Sequence, residues 1–179
     1  ALVILEYGQL QDHATVSRWA AAAPKIHLRL RAGQVFRLED LLKAMLITSA
    51  NDACLAAVEH VGGTEERFVE LMNAKASALG LADTHFSNAC GFDSPTHYAT
   101  AADLAKLSEV ALQHPVFKAL VKEELEVISA VNVNRTFLLK TTNRLLGRMP
   151  GVEGVKTGFT SRAGRCLIAK VSQDAKELL

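Results

Sequence analysis

Several common signatures are missing from this sequence, and each absence removes a class of function. Aromatic residues make up 6% of the 179 positions, with a single tryptophan. The formal charge is only +1, and no basic stripe with interleaved aromatics appears, which argues against nucleic acid as a partner. There are three cysteines, Cys54, Cys90 and Cys166, with no Cys-x-x-Cys. An odd count gives no closed disulfide framework. Cys54 and Cys166 sit in apolar stretches and read as small buried hydrophobes. The longest apolar runs, such as Ala1-Leu2-Val3-Ile4-Leu5, are too short to cross a bilayer, and no signal peptide is readable ahead of them. The generic catalytic motifs are also missing: no His-Glu-x-x-His, no Gly-x-Ser-x-Gly, no P-loop and no dinucleotide glycine fingerprint. The six histidines lack metal-ligand spacing and read as surface or helix-end residues, so neither a metal nor another cofactor is expected.

What remains is a globular composition. Hydrophobic residues make up 49%, and the length suits one domain, residues 1–179, with a sizeable core. Residues 1–7 read as the back end of a helix that lacks an N-cap and stops at Gly8, so the expectation is of a chain cut there. Residues 9–37 read as irregular or extended, with a hairpin around Ala32-Gly33 joining residues 26–30 to 35–37.

Leu38, Leu41, Leu42, Met45 and Leu46 fall on one helical face, and small polar residues then interrupt the pattern at Thr48-Ser49-Ala50-Asn51. Further helices are expected over 52–61, from the Thr64 cap to Gly80, and from Thr100 to about His114-Pro115. Thr100 with Asp103 resembles a capping box. The last third turns to strands at 126–130, 136–140, 152–156 and 165–171, with turn signals at Asn143 and Met149-Pro150-Gly151. Helices followed by strands predict an α+β domain.

Two triplets could carry chemistry. Ser49-Ala50-Asn51 lies between two helices, where a connection can aim a hydroxyl and an amide into a cleft; taken alone, it reads as helix-end capping. Lys156-Thr157-Gly158 lies at the end of a predicted strand, where a lysine can meet a carboxylate and a glycine lets a ligand approach the backbone. Alone, it reads as an exposed strand end and a turn.

In combination, Ser-x-Asn followed by Lys-Thr-Gly resembles the second and third motifs of the penicillin-binding proteins and serine β-lactamases. The surroundings narrow the resemblance to the D-alanyl-D-alanine carboxypeptidases. Residues 46–53, the mid-chain segments 88–93 and 97–104, and residues 143–146 and 150–160 all resemble that family in order. The resemblance implies a β-lactamase/DD-peptidase-like fold, a helical subdomain packed with an antiparallel sheet flanked by helices.

The resemblance also implies roles. Ser49 relays protons, Asn51 holds the substrate amide, and Lys156 supplies positive potential and supports the relay. Thr157 bonds the substrate carboxylate, the Phe159 backbone N–H, just past Gly158, is an oxyanion-hole donor, and Arg144 helps bind the carboxylate. The implied partners are a peptidoglycan stem peptide and β-lactam antibiotics. The implied location is extracytoplasmic, with membrane association through segments outside this chain.

The departure from the pattern is at the first motif. No serine or threonine here is followed three residues later by lysine, so Ser-x-x-Lys, nucleophile and base, is absent. Residues 1–6 resemble those just after that motif, which places the expected nucleophile a few residues before Ala1. Residues 174–179 resemble the turn into the family's last core strand, so the sheet is expected to be incomplete at both ends. Three readings follow: an enzyme whose parent protein removes terminal D-alanine through an acyl-serine, a non-catalytic module binding peptide carboxylates, or a serine β-lactamase.

Overall fold

The first two-thirds of the chain alternates short helices with two small strands, and the last third is antiparallel sheet. In order these are α1 (Leu2–Tyr7), β1 (His13–Thr15), α2 (Arg18–Ala21), β2 (Val35–Arg37) and α3 (Leu38–Lys43). A π-helical turn, Ala44–Thr48, precedes α4 (Asn51–Gly62), α5 (Glu65–Ala78), α6 (Ala101–Leu112) and α7 (Pro115–Leu120). The strands β3 (Leu125–Ser129), β4 (Thr136–Lys140), β5 (Val152–Thr160), β6 (Gly164–Gln173) and β7 (Lys176–Leu178) follow. This is a computed structural model describing residues 1–24, 26–174 and 176–179. Ala175, within the turn expected before the last strand, lies outside the described residues.

The core is centred on α4. Seven consecutive residues, Asp52 to Val58, are buried, so this helix is enclosed on all sides through its first two turns. Ala53, Ala56 and Ala57 keep its flanks thin, and α1, α2, α3, α5 and β1 close around it. Leu38, Leu41 and Leu42 of α3 are fully buried, as are Ile4 and Phe36. Each such side chain contributes about 1.5–3 kcal/mol of transfer free energy. Gly8 ends α1 in an extended conformation, φ −99°, and not the left-handed one its position suggests. A Cβ there would fall 2.5 Å from Leu38 Cδ2 and 2.9 Å from the Ile4 carbonyl oxygen, so close packing requires the glycine.

The strands form three antiparallel units: β1–β2, the β3–β4 hairpin and the β5–β6–β7 meander. In the hairpin, Ile128 and Leu139 face the core while Val127 and Leu138 are exposed, the period-two pattern of a half-buried sheet. The α+β class expected from the sequence is the class observed.

Several local expectations are corrected. Residues 26–30 form no hairpin with 35–37: β2 pairs with β1, Ala14 opposite Phe36. The reason is Asp52, which draws the Leu28 and Leu30 N–H groups to its carboxylate. Helix α3 does not run straight to Leu46 but widens into the π turn. Thr100 caps α6 by accepting from the Asp103 N–H, yet Asp103 does not complete a capping box. Its carboxylate accepts from the Asp83 N–H and the Thr84 hydroxyl. Helix α7, opened by Pro115, was not expected as a separate element. Cys166 is exposed on β6 and is no core residue.

Candidate active site

Two irregularities of backbone bring the site residues together. The first is the exit from α3. A π turn cannot continue as regular helix, and the chain leaves it through Ser49 in the left-handed conformation, φ 58° and ψ 38°. The N–H groups of Ser49 and Ala50 both close onto the Ala44 carbonyl. A left-handed serine costs about 1–2 kcal/mol, and such strain concentrates where geometry serves function. Ala50 is extended, and Asn51 then opens α4.

The second irregularity is in β5, where the register shifts between Val152 and Val155. A Cβ on Gly154 would lie 2.9 Å from the Val121 carbonyl oxygen at the end of α7, so only glycine lets the strand pass. The buried Asn143 side chain donates to the Gly154 carbonyl at 3.3 Å. Beyond this point β5 runs regularly, with Lys156 opposite Ile168, Thr157 opposite Leu167 and Gly158 opposite Cys166. The strand was expected to end at Lys156; it continues to Thr160, so the Lys-Thr-Gly triplet is inside a strand.

Lys156 and Ser49 meet across the junction of these two parts. Lys156 Nζ donates to Ser49 Oγ and, at 3.0 Å, to the Thr157 carbonyl. Among the described residues no carboxylate pairs with it. Burial pushes the lysine down to about 8, so at neutral pH it is still mostly an ammonium ion. Thr157 joins the same cluster: its hydroxyl lies 2.6 Å from that of Thr142, whose N–H donates to the Ile47 carbonyl at 3.2 Å. Thr48 adds a bond from its hydroxyl to the Lys140 carbonyl at 3.3 Å. The π turn is thus fastened directly to the segment between β4 and β5.

The remaining predicted residues take different positions. Asn51 Nδ2 donates to the Pro24 carbonyl at 3.1 Å, and its N–H to the Ile26 carbonyl at 2.7 Å. It therefore holds the preceding loop beside the site. Gly158 and Phe159 are exposed. A Cβ at Gly158 would meet only Cys166 Cβ, at an ordinary 3.6 Å, so packing does not require glycine there. Arg144 is exposed on the loop before β5. The sheet order leaves β5 at an edge.

Sequence reasoning missed three contributors. Asp52, 1% exposed, accepts from the Leu28, Leu30 and Ala53 N–H groups. Its only sequence signal is an acid in a helix's first turn. Thr142 and Asn143 link β5 to the rest; the sequence marks Asn143 as a turn signal and as part of the 143–146 resemblance, but points to no such link.

The chain is 34% identical over 165 residues to D-alanyl-D-alanine carboxypeptidase DacF of Bacillus subtilis, covering 92% of this chain and 42% of that protein. It is 36% identical over 180 residues to DacC of Escherichia coli, covering 96% and 43%. The chain thus spans less than half the length of these curated relatives. Among solved structures, a mutant of the Streptomyces K15 DD-transpeptidase superposes with a TM-score of 0.93 at 27% identity, covering 98% of this chain and 74% of that one. A D-alanyl-D-alanine carboxypeptidase from Mycobacterium tuberculosis superposes with a TM-score of 0.90 at 28% identity, covering 98% and 66%. From residue 4 to residue 179 the sequence matches the model of the S11 peptidases, and the chain belongs to this D-alanyl-D-alanine carboxypeptidase family.

Proposed function

We propose that residues 1–179 are part of one catalytic domain, and that the whole protein is a serine-type D-alanyl-D-alanine carboxypeptidase acting on peptidoglycan stem peptides outside the cytoplasmic membrane. The observation that carries this is the Lys156–Ser49 hydrogen bond, which joins the two triplets into one site. The nucleophile is a serine on a segment N-terminal to Ala1, with a lysine three residues after it as base. It attacks the carbonyl before the terminal D-alanine, the C–N bond breaks, and water hydrolyses the acyl-serine.

Within this reaction each residue has a role set by its chemistry. The ammonium of Lys156 attracts the substrate's terminal carboxylate and polarises the Ser49 hydroxyl. Ser49 passes a proton toward the departing amine. Thr157 bonds the carboxylate, and Arg144 adds positive charge from its exposed loop. The N–H of Phe159 stabilises the oxyanion, and Asn51 positions the substrate amide. Glycine at 158 keeps the backbone open to a ligand where packing does not demand it. The edge position of β5 suits an extended peptide, which can pair with the free strand edge.

β-Lactams acylate the same serine. The test is release of D-alanine from a peptide ending in D-alanyl-D-alanine. The full-length protein is expected to release it and to stop after exposure to penicillin; no release contradicts the proposal.

A further inference from the structure

Away from Lys156, a second pair of reactive side chains comes together. Cys54 lies one turn into α4, three residues past Asn51. Cys90 lies on the connection between α5 and α6. Their sulfurs are 2.6 Å apart. A disulfide bond is about 2.05 Å long, so a movement of roughly half an ångström closes the gap.

Independent hydrogen bonds hold Cys90 at this position. Asn88 Oδ1 accepts from the Gly91 N–H at 2.8 Å and the Phe92 N–H at 2.9 Å, and Asn88 Nδ2 donates to the Phe92 carbonyl. The Ala89 N–H donates to Glu65 Oε1 at 2.9 Å, which ties this loop to the start of α5. Cys54 is fixed by the buried helix that carries it. Cys54 is buried, Cys90 is partly exposed, and Cys166 stands exposed on β6.

We propose that Cys54 and Cys90 are a redox-active pair that closes into an intramolecular disulfide, stapling the first turn of α4 to the 88–92 loop. The oxidant is a disulfide compound or protein of the thiol–disulfide exchange class, available outside the cytoplasm. Cys90, the accessible sulfur, attacks the oxidant's disulfide; an S–S bond forms to Cys90 and one oxidant thiol leaves. Cys54 then attacks Cys90 Sγ and expels the second oxidant thiol. Two electrons and two protons pass from the cysteines to the oxidant, and nothing else changes. In the reduced pair the hydrogen bond to Cys54 and burial together push the Cys90 thiol above its usual range, so thiolate is scarce at neutral pH. Exchange proceeds through that minor thiolate, so closure is expected to be slow at neutral pH and to quicken as pH rises.

The bond would close a loop of 36 positions and restrain the helix turn that begins at Asn51. The oxidised form is expected to melt roughly 5–15 °C above the reduced form.

The experiment uses the full-length protein, oxidised glutathione as probe, and alkylation of the remaining thiols after denaturation. Non-reducing peptide mapping is expected to give a Cys54–Cys90 linked pair, with the intact mass lower by two hydrogen atoms and Cys166 alkylated. Cys54→Ser and Cys90→Ser should each abolish the link and the melting difference. Recovery of both cysteines as alkylated thiols, a lasting glutathione adduct on Cys90, or a link through Cys166 overturns the proposal. The wild-type map needs no variant to fold. D-Alanine release, measured on the same samples, reports the proposed activity separately.

Discussion

Lys156 donates a hydrogen bond to Ser49 although 107 positions separate them, one inside β5 and the other at the left-handed exit from a π turn. Both ends of the bond are specified by backbone: by Gly154 passing Val121 on one side and by the Ala44 carbonyl closing the turn on the other.

Removing the charge at this contact is expected to cost activity. Lys156→Ala in the full-length protein should lower kcat/KM for a D-alanyl-D-alanine peptide by roughly one to two powers of ten, the worth of a charge-assisted contact of about 1.5–3 kcal/mol. Arg144→Ala, on an exposed loop, should lose less. Steady-state kinetics decide it, and an unchanged kcat/KM for Lys156→Ala would remove the lysine from the site.

The lowered lysine also makes a pH-dependent prediction. Burial brings Lys156 from its ordinary 10.5 to about 8 in the fold. Between these values the unfolded chain binds more protons than the folded one, so stability rises with pH across the window. Below about 8 both states are charged, and the burial cost is present in full. Lys156→Met should therefore melt above the wild type at pH 7, with the gap closing toward pH 10.5, while wild-type activity falls as pH rises through about 8. A gap constant with pH would contradict the assignment.

Ser49 separates backbone strain from hydroxyl chemistry. Ser49→Ala keeps the left-handed strain and loses the hydroxyl; Ser49→Gly loses both. Both should lose activity, and the glycine variant should melt about 2–4 °C above the alanine variant, matching relief of about 1 kcal/mol. Equal melting temperatures would mean the turn carries no strain.

Asp52 supports the site from beneath. Asp52→Ala leaves the Leu28 and Leu30 N–H groups without their carboxylate. The expected loss is at least about 1–3 kcal/mol, with faster hydrogen exchange at both amides. Unchanged exchange would show that other bonds hold this loop.

Much of the site was legible because its residues come as contiguous triplets whose chemistry depends on side-chain type. Periodicity located α3, whose Leu38, Leu41 and Leu42 lie on its buried face. It failed where long-range bonds override local preference. Residues 26–30 alternate like a strand, yet a buried aspartate twenty-two positions beyond Leu30 takes their N–H groups. The strand carrying Lys156 looked finished at the triplet because Gly158 reads as a break in a strand; pairing with β6 extends it to Thr160. The approach of Cys90 to Cys54 left no local trace, since an Asn-closed loop and a buried helix supply the two sulfurs separately.

The most direct measurement is a peptide map of the full-length protein after incubation with penicillin. The penicilloyl group is expected on a serine N-terminal to Ala1 that has a lysine three residues later, and the 179-residue chain made alone is expected to take up none. An adduct on Ser49, or none on the folded full-length protein, would contradict the assignment of Ser49 and Lys156 as relay and anchor for a separate nucleophile.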